Sequence, residues 1–124
     1  MDNFKKQFNK GILELIILKL LNDENHYGYS LISEIKKQSS ETIELKDGTL
    51  YPILYRLEDS EKIESYWETS NEGRGKPRKY YRITTKGKEV YLSMLEDYLE
   101  ITKGVRDILQ KGKHSTKNKG FLLK

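Results

Sequence analysis

Cysteine is absent from the 124 residues. That excludes disulfides, thiolate catalysis and cysteine-ligated zinc fingers, and it fits a reducing compartment. Histidine is scarce. His26 and His114 lie far apart in sequence, without the spacing of a metal-ligand pair. Each reads as a lone surface residue, and neither a metal nor a cofactor is expected. Long apolar runs are missing too: no stretch approaches the roughly 18 residues of a membrane span. The polar N-terminus lacks the apolar centre of a signal peptide, so a soluble, cytoplasmic protein is expected. There is no internal repeat. There is also no Ser/His/Asp set with a glycine-rich elbow, no phosphate-binding glycine loop and no poised carboxylate pair. No catalytic residues are assigned, and an enzyme is not expected.

What is present is charge, and it is unevenly placed. Charged residues make up 34% of the chain with a formal net charge of +4. The segment from Asn71 to Lys86 carries Arg74, Lys76, Arg78, Lys79, Arg82 and Lys86 against Glu72 alone. From Lys111 onward Lys111, Lys113, Lys117, Lys119 and Lys124 are met by no acid. Acids gather instead between Glu34 and Glu72 and between Glu89 and Asp107. Such local fields govern partner choice more than the small total does. The length suits one domain with a modest core.

The periodicities order the chain. A first helix is expected to start between Asn3 and Lys10 and run to Leu21, with Leu13, Ile16, Ile17, Leu20 and Leu21 in one stripe. Ile12, Leu15 and Leu18 widen that stripe, and Phe4, Phe8 and Ile12 extend a ridge toward the N-terminus. A helix apolar on most sides is buried from more than one direction. A second helix is expected from about Tyr27 to Gln38, with Leu31, Ile32 and Ile35 inward and Gly28 admitting a close backbone. Ser39 to Lys46 reads as a loop. A third helix follows from about Asp47, because Pro52 is tolerated only in or near a first turn; Asp47 is expected to cap it.

That third helix is the most informative stretch. Leu50, Ile53, Leu54 and Leu57 form its apolar stripe, while Thr49, Tyr51, Pro52, Tyr55 and Arg56 fall mostly on the other side. Two tyrosines, a hydroxyl and a guanidinium suit a partner surface better than bulk water. The period then changes to two. Ile63, Ser65 and Trp67 alternate with polar neighbours, and later Tyr81 and Ile83 do the same, which predicts two strands. Between them Asn71 to Pro77 is a glycine-rich, basic turn. Tyr81 and Trp67 are expected in the core, and Tyr80 in the core or on a sheet face. Thr84 is a candidate N-cap for a fourth helix. There Tyr91, Met94, Tyr98, Ile101, Val105 and Ile108 recur at alternate spacings of three and four, thickened by Leu95 and Leu109. A seam of that period calls for a second chain.

Three helices followed by a hairpin with a basic tip is the winged-helix order, and the third helix resembles a recognition helix. The expected fold is mainly α with a small β-hairpin: a winged helix-turn-helix with an N-terminal helix over residues 1–85, a C-terminal dimerisation helix over 86–111, and a Lys-rich, disordered tail over 112–124. Four blocks together resemble the PadR-type transcriptional regulators. They are Gly11-Ile12-Leu13 with the Leu/Ile run after it, His26-Tyr27-Gly28-Tyr29-Ser30-Leu31, Gly48 to Glu58, and Arg74 to Gly87. They span roughly Gly11 to Ile108. The resemblance implies a dimeric regulator that binds DNA, represses in most cases, and often responds to a small molecule. Some relatives stack flat ligands on tryptophans of the last helix; Trp67, the one tryptophan here, falls in a predicted strand instead.

The expected DNA-binding residues are Tyr29, Thr49, Tyr51, Tyr55, Arg56, Arg74, Lys76, Arg78 and Lys79. A helix fits the major groove, and the third-helix side chains can reach base edges or phosphates. The basic turn can meet phosphate or enter the minor groove. Tyr29 can contact phosphate or pack on the third helix. The expected dimer seam is Tyr91, Met94, Leu95, Tyr98, Ile101, Val105 and Ile108, with an effector beside Tyr91, Met94, Leu95 and Tyr98. The partners expected are a near-palindromic duplex, a second copy of the chain and a small-molecule effector, with no membrane. The rival is a winged helix that docks another protein without specific DNA; the basic turn and the tyrosine-bearing helix discriminate against it.

Overall fold

The computed structural model describes residues 2–69 and 75–111. The elements run α1 (Asp2–Asp23), β1 (His26–Tyr27), α2 (Gly28–Gln38), α3 (Asp47–Asp59), β2 (Ile63–Glu68), β3 (Arg78–Ile83) and α4 (Thr85–Gln110). The chain divides into two compact units, Met1–Tyr91 and a second from Leu92 onward. The expected tail, residues 112–124, lies outside the described residues, as do most of the basic turn and His114. Among the described residues no helix is long and apolar enough to cross a membrane.

The core of the first unit follows from the stripes. Leu13, Ile17, Leu18, Leu20 and Leu21 of α1 are buried with Leu31 and Ile35 of α2 and Leu50, Ile53, Leu54 and Leu57 of α3. Helix α1 starts at Asp2, one residue earlier than its apolar pattern suggested. Phe4 and Phe8 stack at 6.3 Å between ring centroids and remain exposed. Helix α3 begins at Asp47, as expected, but Asp47 does not cap it. Lys46 holds the extended N-cap position without a side-chain cap bond, and its carbonyl accepts from Thr49 and Leu50. Asp47 is the first helical residue, where a carboxylate still favours the positive end of the helix dipole. Pro52 is the sixth residue of α3, and its missing N–H leaves the Gly48 carbonyl without its usual helical donor.

Beyond the expected hairpin, the sheet has a third strand. Its order is β1-β3-β2, antiparallel throughout. His26 pairs with Tyr81 and Tyr27 with Tyr80; across the other edge Ile63 pairs with Ile83, Ser65 with Tyr81 and Trp67 with Lys79. Helix α2 accordingly starts at Gly28, after the strand. Ser30 Oγ accepts from the Tyr27 N–H and donates to the Tyr27 carbonyl, joining strand to helix. His26, expected at the surface, is buried. Its Nδ1 is hydrogen-bonded to Ser30 Oγ at 2.9 Å. Pairing with β3 turns its side chain to the core face, which a two-residue strand does not announce locally.

The two aromatic residues assigned to the core part company. Tyr81 is buried to 1% exposure, whereas Trp67 is 67% exposed. They share a face by the two-residue alternation, but only the Tyr81 end lies beneath the helices. Thr84 caps α4 as expected: the Gly87 N–H donates to its Oγ1 at 3.0 Å, and the same hydroxyl donates to the Glu61 carbonyl at 2.7 Å.

Burial, reinforced by Tyr51, Glu58 and Tyr55, pushes the Tyr81 hydroxyl up to about 12. An unfolded tyrosine ionises near pH 10. Below that pH the contribution to stability is fully present. Between about pH 10 and 12 the folded chain binds more protons than the unfolded one, so stability falls as pH rises, by at most about 1.4 kcal/mol per pH unit. Tyr81→Phe should flatten this alkaline limb when urea midpoints are compared from about pH 9 to 12.

Candidate nucleic-acid interface

The non-buried surface of α3 has two edges rather than one face. Tyr51 and Tyr55, one turn apart, hold their rings 6.3 Å apart and turn toward the sheet. Arg56 turns toward α1, where its guanidinium lies 3.5 Å from Glu14. Thr49 and Tyr55 are exposed, but Tyr51 is only half exposed, which corrects the expectation that it faces solvent freely. Its ring end fills the space above Gly28. A Cβ there would fall onto the Tyr51 hydroxyl, so Gly28 admits a side chain and not the backbone expected from sequence.

Tyr51, Tyr55, Gly28, Tyr29 and Tyr27 join Arg78, Lys79 and Tyr81 around an open cleft of about 270 Å³. The cleft brings together the start of α2, the middle of α3 and the first four residues of β3. Tyr29 is 70% exposed at its rim. Burial first, then Asp47 and Tyr55, raises the Tyr51 hydroxyl above its ordinary value. It therefore stays protonated at neutral pH and is available as a donor.

On the opposite face of the sheet, aromatic rings hold Arg82 and Arg78, the latter at the edge of the cleft. Arg78 sits 4.5 Å above the Tyr27 ring, Tyr27 meets Tyr80 edge-on at 5.3 Å, Tyr80 stacks on Tyr66 at 5.7 Å, and Arg82 lies 4.6 Å over Tyr66. Cation–π contacts of this kind restrict the guanidinium without neutralising it. Arg82 is also paired with Glu64 at 2.9 Å. Arg78 has no acid within ion-pair distance among the described residues and is exposed. Lys76 is exposed, and Lys79 is half exposed with its Nζ 5.8 Å from the Tyr81 ring. Arg74 lies outside the described residues. Tyr27 and Gly28 were not among the candidates from sequence. The signal for them was the run of aromatics flanking a glycine at the strand-to-helix junction, which acquires meaning only once β1 pairs with β3.

The residues of the expected seam divide at the boundary between the compact units. Tyr91 is buried within the first unit and is not free for a seam or an effector. Met94, Leu95 and Tyr98 are half exposed, while Ile101, Val105 and Ile108 are exposed, as are Leu92, Leu99 and Leu109. Leaving so many large apolar groups in water on one helix is unusual for a finished surface.

A comparison with known proteins agrees with this architecture. The model of the PadR-like transcriptional regulator family matches residues 17–93. An uncharacterised protein of Lysinibacillus sphaericus is 37% identical over 103 residues, covering 83% of this chain and 92% of that one. Among solved structures, a transcriptional regulator from Clostridium thermocellum is 33% identical with a TM-score of 0.74, covering 85% of this chain and 99% of that one. A PadR-like transcriptional regulator from Bacillus cereus is 32% identical, also with a TM-score of 0.74, covering 86% and 99%. A PadR family regulator from Eggerthella lenta is 29% identical with a TM-score of 0.77, covering 90% and 93%. With the three-helix core, the paired wing strands and the matched residues in agreement, this chain belongs to the PadR-like transcriptional regulator family.

Proposed function

We propose that this regulator is a homodimeric, sequence-specific DNA-binding repressor. The observation that carries the reading is the cleft where Tyr29, Tyr51 and Tyr55 meet Arg78 and Lys79. Hydroxyl donors and cations converging on one cleft from the two faces of β3, beside a helix of the right width for a major groove, match the chemistry of a phosphate-lined duplex. Thr49 and Tyr55 are the exposed groups of α3 closest in character to base readers. Arg56 is exposed as well, on the edge facing Glu14. Arg74, Lys76, Arg78 and Lys79 supply the wing contacts, and Tyr29 a backbone contact from α2. Two copies joined along α4 would set two recognition helices on a near-palindromic site. An effector seated beside Met94, Leu95 and Tyr98 would shift that spacing and weaken binding through loss of two-fold avidity.

The test is retention on heparin followed by a gel shift with duplex from upstream of the protein's own gene. A discrete shifted band that outcompetes random duplex is expected. A folded protein that shifts neither duplex at low salt would reject the reading and favour the protein-docking alternative. The wing makes a sharper statement. Each phosphate neutralised contributes about −0.9 to the slope of log affinity against log salt. Lys76→Ala removes one cation per subunit, so the slope should become shallower by roughly two units per dimer, with specific and random duplex losing affinity alike. An unchanged slope would remove Lys76 from the phosphate contacts.

A further inference from the structure

Trp67 is the chain's one tryptophan, and it stands 67% exposed on β2. An indole is the largest apolar side chain, so leaving it in water forgoes more burial than at any other residue. Its position in the sheet gives the exposure a direction. Along β2 the core-side face reads Ile63, Ser65, Trp67, and the residues opposite them on β3 are Ile83, Tyr81 and Lys79. Ile63 is buried, Ser65 is half exposed and hydrogen-bonded to Glu58 of α3, and Trp67 is exposed. The face that packs against α3 at its base therefore runs out from beneath that helix at Trp67. Tyr81 lines the cleft beside Tyr51 and Tyr55, Lys79 lies next to Tyr81, and Trp67 lies across from Lys79. The strip from the recognition helix to the wing is thus continuous. On it these strands place a lysine and no acid; Glu64 and Glu68 occupy the opposite face, in register with Arg82 and Arg78.

We propose that Trp67 is a DNA-contacting residue of the wing, its indole lying against the sugar–phosphate backbone while Lys79 beside it meets phosphate. The inference rests on the DNA-binding reading above and extends it to a residue whose type and strand position point, from sequence alone, to the core. A flat apolar ring covers deoxyribose, and its Nε1–H can donate to a phosphate oxygen. Both contacts are blind to base identity. Because no charge is involved, the contribution should be insensitive to salt, unlike that of the neighbouring cations.

A single tryptophan makes the chain its own reporter. In the free protein acrylamide should quench Trp67 fluorescence efficiently; with saturating upstream duplex, quenching should fall several-fold. Trp67→Ala should weaken binding about tenfold, as truncation of a central aromatic contact does. The loss should be equal on upstream and random duplex, with the salt slope unchanged and Trp67→Phe restoring part of it. A thermal midpoint matching the wild type identifies the variant as folded. Unaltered quenching in a complex that the gel shift proves to form would overturn the assignment and leave the DNA-binding reading intact. So would unaltered affinity of Trp67→Ala. A loss confined to the specific duplex would overturn the backbone contact in favour of base reading. Shielding that grows with protein concentration in the absence of DNA would make Trp67 a contact between copies. Failure of the wild type to shift any duplex would sink both readings together.

Discussion

Gly87→Ala should lower the thermal midpoint by roughly 10 °C, although alanine is the better helix former. Gly87 is buried in the first turn of α4, where a Cβ would fall onto the Lys62 carbonyl oxygen and crowd Ile83. The obstacle is backbone, and it is tied on both sides. The Lys62 carbonyl accepts from the Thr84 N–H at 3.0 Å, and the Lys62 N–H donates to the Leu57 carbonyl at 2.9 Å. Relief requires moving α4 away from the start of β2, which strains the Thr84 cap as well. Helix propensity favours alanine by about 1 kcal/mol. Overpacking a rigid site costs about 1–3 kcal/mol and occasionally more. With a backbone obstacle we expect the upper end, a net loss of about 2 kcal/mol, which converts to roughly 10 °C in a domain of this size. Gly11→Ala is the control. Nothing lies within 4 Å of a Cβ at Gly11, so the same substitution should there be neutral or stabilising. Matching midpoints for the two variants would mean that α4 yields at Lys62 without cost.

The second large effect concerns assembly. Replacing Tyr98 and Val105 together with aspartate should abolish the proposed dimer and leave only monomer in light scattering at micromolar concentration. It should also lower affinity for a two-fold site by about 10²- to 10⁴-fold, the range avidity supplies. Tyr98 is half exposed and Val105 exposed in the single chain, so neither aspartate is forced into the chain's own core. The thermal midpoint of the first unit, Met1–Tyr91, should therefore be nearly unchanged. Only a partner chain would bury the introduced carboxylates, and unpaired charge in an interface is strongly unfavourable. A double variant that stays dimeric would move the interface off this helix. The exposed Phe4 and Phe8 ridge of α1 would be the next surface to test.

Much of the architecture is legible in the sequence. The stripes of α1, α2 and α3 were legible because helical burial repeats every three or four residues regardless of what lies opposite. The strands β2 and β3 were legible from their two-residue alternation. The Thr84 cap was legible because a hydroxyl before a helical pattern satisfies an otherwise orphaned N–H. The family resemblance carried by Gly48 to Glu58 and by Arg74 to Gly87 agrees with the matched residues 17–93.

What local pattern could not settle was depth and direction. Trp67 and Tyr81 obey one alternation and share one face, yet one is exposed and the other buried, because alternation names a face and says nothing of where the covering helix ends. His26 and Tyr27 are too few to register a strand period; they become β1 only by pairing with β3, about 55 residues away in sequence. That pairing buries His26 and puts Tyr27 under Arg78. Tyr51 and Arg56 sit on the same nominal polar side of α3, but packing turns one toward Gly28 and the other toward Glu14. Tyr91 continues the seven-residue pattern of α4, yet its turn of helix is claimed by the core of the first unit. Sequence by itself thus determined which elements form and in what order, since those follow from short-range periodicity and capping. Which polar and aromatic side chains meet around the cleft was decided by contacts between residues distant in the chain, and only the tertiary structure brings those together.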